Sequence, residues 1–187
     1  NAMVGREVQD LFAKEPAEIG DVVLEVKNLS TRGFLKDISF QLRAGEILGF
    51  AGLVGAGRSE VMRAVFGIDR RESGEIFVKG RRVRIQSPRD ALRCRMGFVP
   101  EDRKSQGLVL GMNVRQNTTL AALRQVASGA GFISARLERE MTDQFVSALE
   151  VKTPSNEQRV RNLSGGNQQK VVIAKWLANS PDILILD

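Results

Sequence analysis

The sequence predicts an α/β fold, and three features predict it. An apolar run, Glu46 to Ala51, leads into the glycine-rich stretch Gly52 to Ser59 and then into residues spaced as on a helix. A second apolar run, Ile183 to Leu186, lies near the end of the sequence, and both runs have the near-continuous apolar character of parallel strands covered on two faces. Ahead of them, Val22 to Lys27 and Ile38 to Arg43 alternate apolar and polar residues, as strands with one buried face do. A length of 187 residues suits about one domain and is enough to bury a core.

Taken in order, Asn1-Ala2-Met3 resembles the scar of a cleaved tag, and Asn1 and Ala2 carry no weight for the fold. The mixed stretch up to Gly20, with Pro16, reads as a linker, so a domain is expected over 21–187. Ala44-Gly45 signals a turn before the buried strand at 46–51. Val61, Met62, Val65 and Phe66 then recur at helical spacing, with Gly67 placed to end the helix. Gly74 to Lys79 reads as a short strand, and Ser87-Pro88 puts proline in the first turn of a helix running to about Arg93. Met96 to Val99 is expected as a further buried strand. From Asn113 the pattern turns helical: Val114, Thr118 and Ala121 mark one helix before a loop at Ser128 to Gly131. Leu137, Met141, Phe145 and Leu149 mark an apolar stripe on another. This reads as a helical insertion, ended by Thr153-Pro154-Ser155. Gly165-Gly166 opens a last helix with Val172 and Trp176 toward the core, and Pro181 leads into the final strand. A chain that stops at Asp187 straight after a buried strand reads as a fragment.

Composition removes several chemistries. The chain contains no histidine, so a Ser-His-Asp triad, an imidazole base and a His-ligated zinc are excluded within it. A single cysteine, Cys94, gives no intrachain disulfide and no cysteine cluster, which fits a reduced compartment. The longest near-apolar stretch, Ile47 to Gly57, is too short for the ~18–20 residues of a membrane span. The net charge is +6, but the basic residues are dispersed apart from Arg81, Arg82, Arg84 and Arg103, Lys104, so no nucleic-acid partner is expected.

The chemistry concentrates in three segments. Gly52-Leu53-Val54-Gly55-Ala56-Gly57-Arg58-Ser59 fits a phosphate-binding loop at every position but Arg58, where the frame has lysine. Glycines let the backbone wrap a triphosphate with its amides inward, and the helix start adds a favourable dipole. Ser59 is placed to ligate Mg²⁺. An ordinary strand-to-helix turn would carry the same glycines. Leu163-Ser164-Gly165-Gly166-Asn167-Gln168 precedes another helix, where Ser164 and the glycine amides form a second anion site or simply a capped glycine pair. Asp187 ends a buried strand, where a carboxylate can hold magnesium through water or merely be solvated. All three in this order are hard to reach by chance.

Together these motifs resemble the nucleotide-binding domain of ABC transporters over Val22 to Asp187. Within that family, GLVGAGRSE, VPEDRKSQGLVLGMNVRQN and LSGGNQQKVVIAKWL are similar to the second, C-terminal cassette of the tandem ATPase subunit of bacterial monosaccharide importers, of the ribose, galactose and xylose type. Met3-Val4-Gly5-Arg6 is similar to the segment joining the two cassettes. The resemblance implies a P-loop NTPase with a RecA-like core, an antiparallel β subdomain and an α-helical subdomain at 113–160, truncated after the strand that carries Asp187. It implies ATP and Mg²⁺ held by Gly52, Gly55, Ala56, Gly57, Arg58, Ser59 and Glu60, with Phe34 the nearby candidate to stack on adenine, although a core role for Phe34 is the favoured reading. Metal contacts would come from Ser59, Asp187 and Glu101. Leu163 to Gln168 would be the signature facing the nucleotide of a second cassette, either the first cassette of the same subunit or another copy. Permease domains and, indirectly, a sugar-binding protein are the further partners, at the inner face of the bacterial plasma membrane.

Two departures mark the site as degenerate. Arg58 replaces a compact lysine charge with a broad planar group suited to the edge of an anion. Glu101 stands where a glutamine is usual, adding negative charge beside the terminal phosphate. No catalytic residue is assigned here; a catalytic glutamate and a switch histidine are expected beyond Asp187, and the isolated chain is expected to be inactive. Two other classes compete: a non-transport ABC ATPase acting on nucleic acid, supported mainly by a pI of about 10.0, and a non-hydrolysing regulatory cassette. VPEDRK and the short helical insertion favour the transporter.

Overall fold

The computed structural model describes residues 17–129 and 131–187, so the tag-like start and most of the expected linker lie outside the described residues. Two sheets and a set of helices make up the described residues. The first sheet is antiparallel, in the order β2-β1-β3-β4, from β1 (Val22–Thr31), β2 (Ile38–Arg43), β3 (Arg71–Val78) and β4 (Arg81–Val83). Its alternating residues behave as expected: Leu24, Val26 and Ile76 point into the core while Lys27 is exposed. β1 runs four residues past the alternating stretch, across register shifts that absorb Asn28 in a left-handed conformation.

The second sheet pairs β5 (Met96–Val99) with β6 (Ile183–Leu186) in parallel, Met96 opposite Ile183 through Val99 opposite Leu186. The expected strand at 46–51 is not a strand. Glu46 is held in a turn, its amide donating to the Arg43 carbonyl and its carboxylate accepting from the Arg43 amide, and no ladder follows. An apolar run becomes a buried strand only where neighbours pair its edges and cover its faces. Here Ile47 is 84% exposed, and the segment stands across a cavity from β6.

The helices fill the remaining space. α1 (Arg58–Phe66) follows Gly57 and is closed by Gly67, as the spacing predicts. α2 (Pro88–Arg93) starts after Ser87. The helical layer consists of α3 (Val114–Thr119), α4 (Leu123–Val126), which the sequence reading did not separate, and α5 (Ala135–Ala148). The stripe read on α5 is offset. Leu137 is 39% exposed, and the buried side chains are Glu138 and Thr142. Glu138 is tolerated because Arg115 pairs with it and the Thr119 hydroxyl donates to it at 2.8 Å. The polar contacts therefore moved the buried face by one residue from the apolar stripe.

α6 (Gly165–Leu177) joins the layers. Its Trp176 meets Phe66 of α1 edge-on at 5.6 Å between ring centres, and Phe66 also packs on Phe98 of β5 at 5.3 Å. Phe66 is almost fully buried, so truncating it to Ala would cost about 3–5 kcal/mol. A second cluster, Val99, Val114, Val160, Val171 and Val172, fixes α6 to the helical layer. Asp182, just before β6, binds Lys79 at 2.5 Å and Arg95 at 3.2 Å, which ties the antiparallel sheet to the parallel one. The Lys79 ammonium, hydrogen-bonded to its carboxyl, holds the Asp182 pKa below the usual carboxylate range.

Candidate functional site

The phosphate-loop residues form a turn on the surface. The Ala56 amide donates to the Leu53 carbonyl at 3.0 Å, and Gly55 and Gly57 adopt left-handed backbone with φ of 82° and 89°. A side chain at either position would be strained, which is why the frame needs glycine there. No side chain caps α1, so its first amides stay available at the positive end of the helix. Arg58 is exposed at that end, and Glu60 lies in the first turn.

Ser59 and Asp187 meet although 128 positions separate them: the hydroxyl donates to the carboxylate at 2.6 Å. α1 supplies one and the end of β6 the other, and the Asp187 amide is itself fixed by the Val99 carbonyl at 2.9 Å. Glu101, after Val99-Pro100 at the end of β5, lines the same cavity of about 1010 Å³ as Arg58, Ser59 and Asp187. Spacing alone placed each of these residues at an element end; the parallel pairing of β5 and β6 sets Glu101 and Asp187 at the same end of the sheet, and the packing of α1 against those strands adds Arg58 and Ser59. A hydroxyl and two carboxylates are hard oxygen donors of the kind Mg²⁺ selects.

Phe34 is not a core residue. It is 52% exposed, whereas its neighbour Leu35 is buried. A Cβ on Gly57 would lie 2.9 Å from the Phe34 ring, so the ring rests on the loop glycine. The favoured core reading is overturned by the turn after β1, which sends Leu35 inward and leaves Phe34 out, with its ring beside the phosphate loop.

The second glycine segment is a separate place. Leu163 and Gly165 are half-buried, and Ser164 and Gly166 are exposed at the start of α6. Ser164 does not cap the helix through its side chain. Its hydroxyl accepts from the Asn167 side-chain amide at 2.9 Å, and Asn167 Oδ1 in turn accepts from the Lys152 amide at 2.8 Å. Gln168 is buried and donates to the Val160 carbonyl at 3.2 Å. Asn167 and Gln168 therefore brace the turn from within, a role that no spacing rule reveals.

Sequence reasoning also missed the loop after Glu101. Arg103–Gly107 forms a single π-helical turn, capped by Asp102, whose carboxylate accepts from the Lys104 amide at 2.8 Å and the Ser105 amide at 3.2 Å. Ser105 hydrogen bonds hold the Asp102 carboxyl below its ordinary range. Lys175 of α6 reaches this loop and donates to the Gly107 carbonyl at 2.5 Å, and burial lowers its pKa to about 8. A lysine within an otherwise apolar helical run was the available signal.

Comparison with known proteins agrees with this architecture. The ABC transporter family profile matches residues 35–187. The chain is 48% identical over 185 residues to the ribose import ATP-binding protein RbsA of Bacillus cereus, covering 99% of this chain and 37% of that protein. It is also 48% identical to a putative ribose/galactose/methyl galactoside import ATP-binding protein of Halalkalibacterium halodurans, covering 99% and 35%. The chain thus spans little more than a third of these relatives. Among solved structures, an ATP-binding cassette in a dimeric post-hydrolysis state with ADP and Pi superposes with a TM-score of 0.71 at 23% identity, over 88% of this chain and 73% of that one. The cbiO1 protein of Clostridium perfringens gives 0.70 at 22%, over 89% and 65%. These two likenesses speak for the fold, α/β with the P-loop NTPase architecture. With the phosphate loop, the strand-end aspartate and the LSGGNQ turn in place on that fold, and with relatives of this identity, the chain belongs to the ABC transporter family as an ATP-binding cassette.

Proposed function

We propose that this cassette is the second, C-terminal one of a tandem subunit powering a bacterial monosaccharide importer. It binds Mg-ATP at a degenerate site of its own and lends its LSGGNQ turn to a partner cassette. The observation that carries the reading is the 2.6 Å contact between Ser59 and Asp187, which sets two oxygen donors at the mouth of the phosphate loop. Ser59, Asp187 and Glu101 would hold Mg²⁺, which when bound neutralises charge on the phosphates. Gly52, Gly55, Ala56 and Gly57 would offer backbone amides, and Phe34 would offer an apolar face to the base. Arg58 meets the phosphates at their edge, and Glu101 adds repulsion there. Binding is therefore retained while turnover at this site is slow.

The relatives named for ribose or galactose import support a sugar as the cargo. The permease partners and the place at the inner face of the membrane follow from that role. No helix among the described residues is long and apolar enough to cross a membrane. Titrating the chain with ATP with and without Mg²⁺ tests the binding half: Mg²⁺ should tighten binding, and equal affinity in both conditions refutes the metal assignment. In the full-length subunit, Arg58→Lys should raise turnover at this site, and an unchanged rate refutes its degeneracy.

A further inference from the structure

The loop that follows Glu101 is fastened to α6 at both of its ends. At the far end, the Gly107 carbonyl receives Lys175, and a Cβ on Gly107 would come within 3.0 Å of Val172. The loop backbone therefore lies directly against the helix. At the near end, a Cβ on Gly165 would stand 2.8 Å from Arg103 Nη2 and 3.5 Å from its Cζ. The guanidinium thus occupies the space that the missing side chain of Gly165 leaves open. Arg103 Nε is buried without a hydrogen-bond partner in the described residues, so the group is held there by packing on backbone. A planar guanidinium can lie flat in such a place, and an ammonium cannot. Asp102 locks the turn from which Arg103 projects.

We infer that Arg103 is a positioning residue for the LSGGNQ turn, its guanidinium holding the Gly165-Gly166 backbone where it addresses the nucleotide of the facing cassette. What the turn addresses rests on the proposed function; the contact itself does not. Because Glu101 lies two positions before Arg103, one short loop ends in both sites, the cassette's own and the shared one.

Two measurements test this. In the present chain, amide exchange at Gln168 and Gln169 reports how firmly α6 begins; Arg103→Ala should speed it about fivefold, and Arg103→Lys should do the same. Unchanged exchange in Arg103→Ala, or full protection in Arg103→Lys, overturns the inference. In the full-length subunit with its permease, Arg103→Ala should lower kcat about tenfold while leaving KM for ATP within about twofold, as for an interaction made in the closed, reacting state. Gly165→Ala displaces the guanidinium, so it should lower kcat in the unaltered subunit and have no further effect in Arg103→Ala. Effects that multiply would overturn the role. A wild-type subunit with no ATP turnover would refute the proposed function, and the exchange measurement would still decide the inference.

Discussion

The phosphate loop and the LSGGNQ turn are both helix starts built on glycines and left without a side-chain cap, yet the chain supports them in opposite ways. The phosphate loop follows an unpaired segment, with Leu53 and Val54 almost fully exposed and the Phe34 ring its near neighbour. The LSGGNQ turn is braced by Asn167, Gln168 and Arg103 and backed by the fully buried Val160, Val171 and Val172. A turn that must wrap a ligand gains from a yielding support. A turn that must meet a ligand bound elsewhere gains from being set beforehand, because the ordering is then not required at closure.

The largest expected effect falls on the braced turn. Ser164→Arg in the full-length subunit should lower ATP turnover by about two to three orders of magnitude, as removal of a preorganised donor does. An unchanged rate in a coupled ATPase assay would end the idea that this turn serves a partner.

Next is the support beneath it. Lys175 has a pKa lowered to about 8 in the fold against 10.5 in the unfolded chain, because burial disfavours its charge. Between those values the unfolded state binds more protons, so stability should rise with pH across that window, by up to about 3 kcal/mol. Urea melts at pH 7.5 and 10.5 should show the rise, and Lys175→Met should flatten it. An equal rise in the variant would place the titrating group elsewhere.

On the yielding side, Ser59→Ala should weaken Mg²⁺-dependent ATP binding about tenfold, close to 1.4 kcal/mol, while leaving metal-free binding unchanged. Calorimetric titration separates the two. The smallest effect is expected for Phe34→Ala, a loss of about two- to threefold in ATP affinity with no loss of stability, since the ring is half-exposed. A clear drop in Tm would restore the core role that the structure denies it.

The same contrast governs what the sequence discloses. β1, β2, α1, α2, β5 and β6 were legible because local alternation, glycine stops and a proline at a helix start act within a few residues. The candidate site was legible as three motifs, but the meeting of Ser59 with Asp187 depends on how α1 packs against β5 and β6, which no local pattern encodes. The segment 46–51 misled because an apolar run states only that a residue dislikes water, not which neighbour will cover it. On α5 the buried line runs through Glu138 because Arg115 and Thr119 satisfy it, a fact that resides on another helix. Phe34 and Leu35 are equivalent to any hydropathy rule, and the turn after β1 alone decides which faces inward.

The strand β6 is paired with β5 along one edge, while along its other edge no strand runs among the described residues. Ile47 and Leu186 are exposed and line the cavity that β6 borders. In a tube of purified chain, such a border is a template on which a second molecule can lay a strand. The net charge of +6 keeps molecules apart at low ionic strength. Added salt shortens that repulsion, so colloidal behaviour, and with it the choice of buffer, depends on the row of backbone groups that the β5 pairing leaves unused.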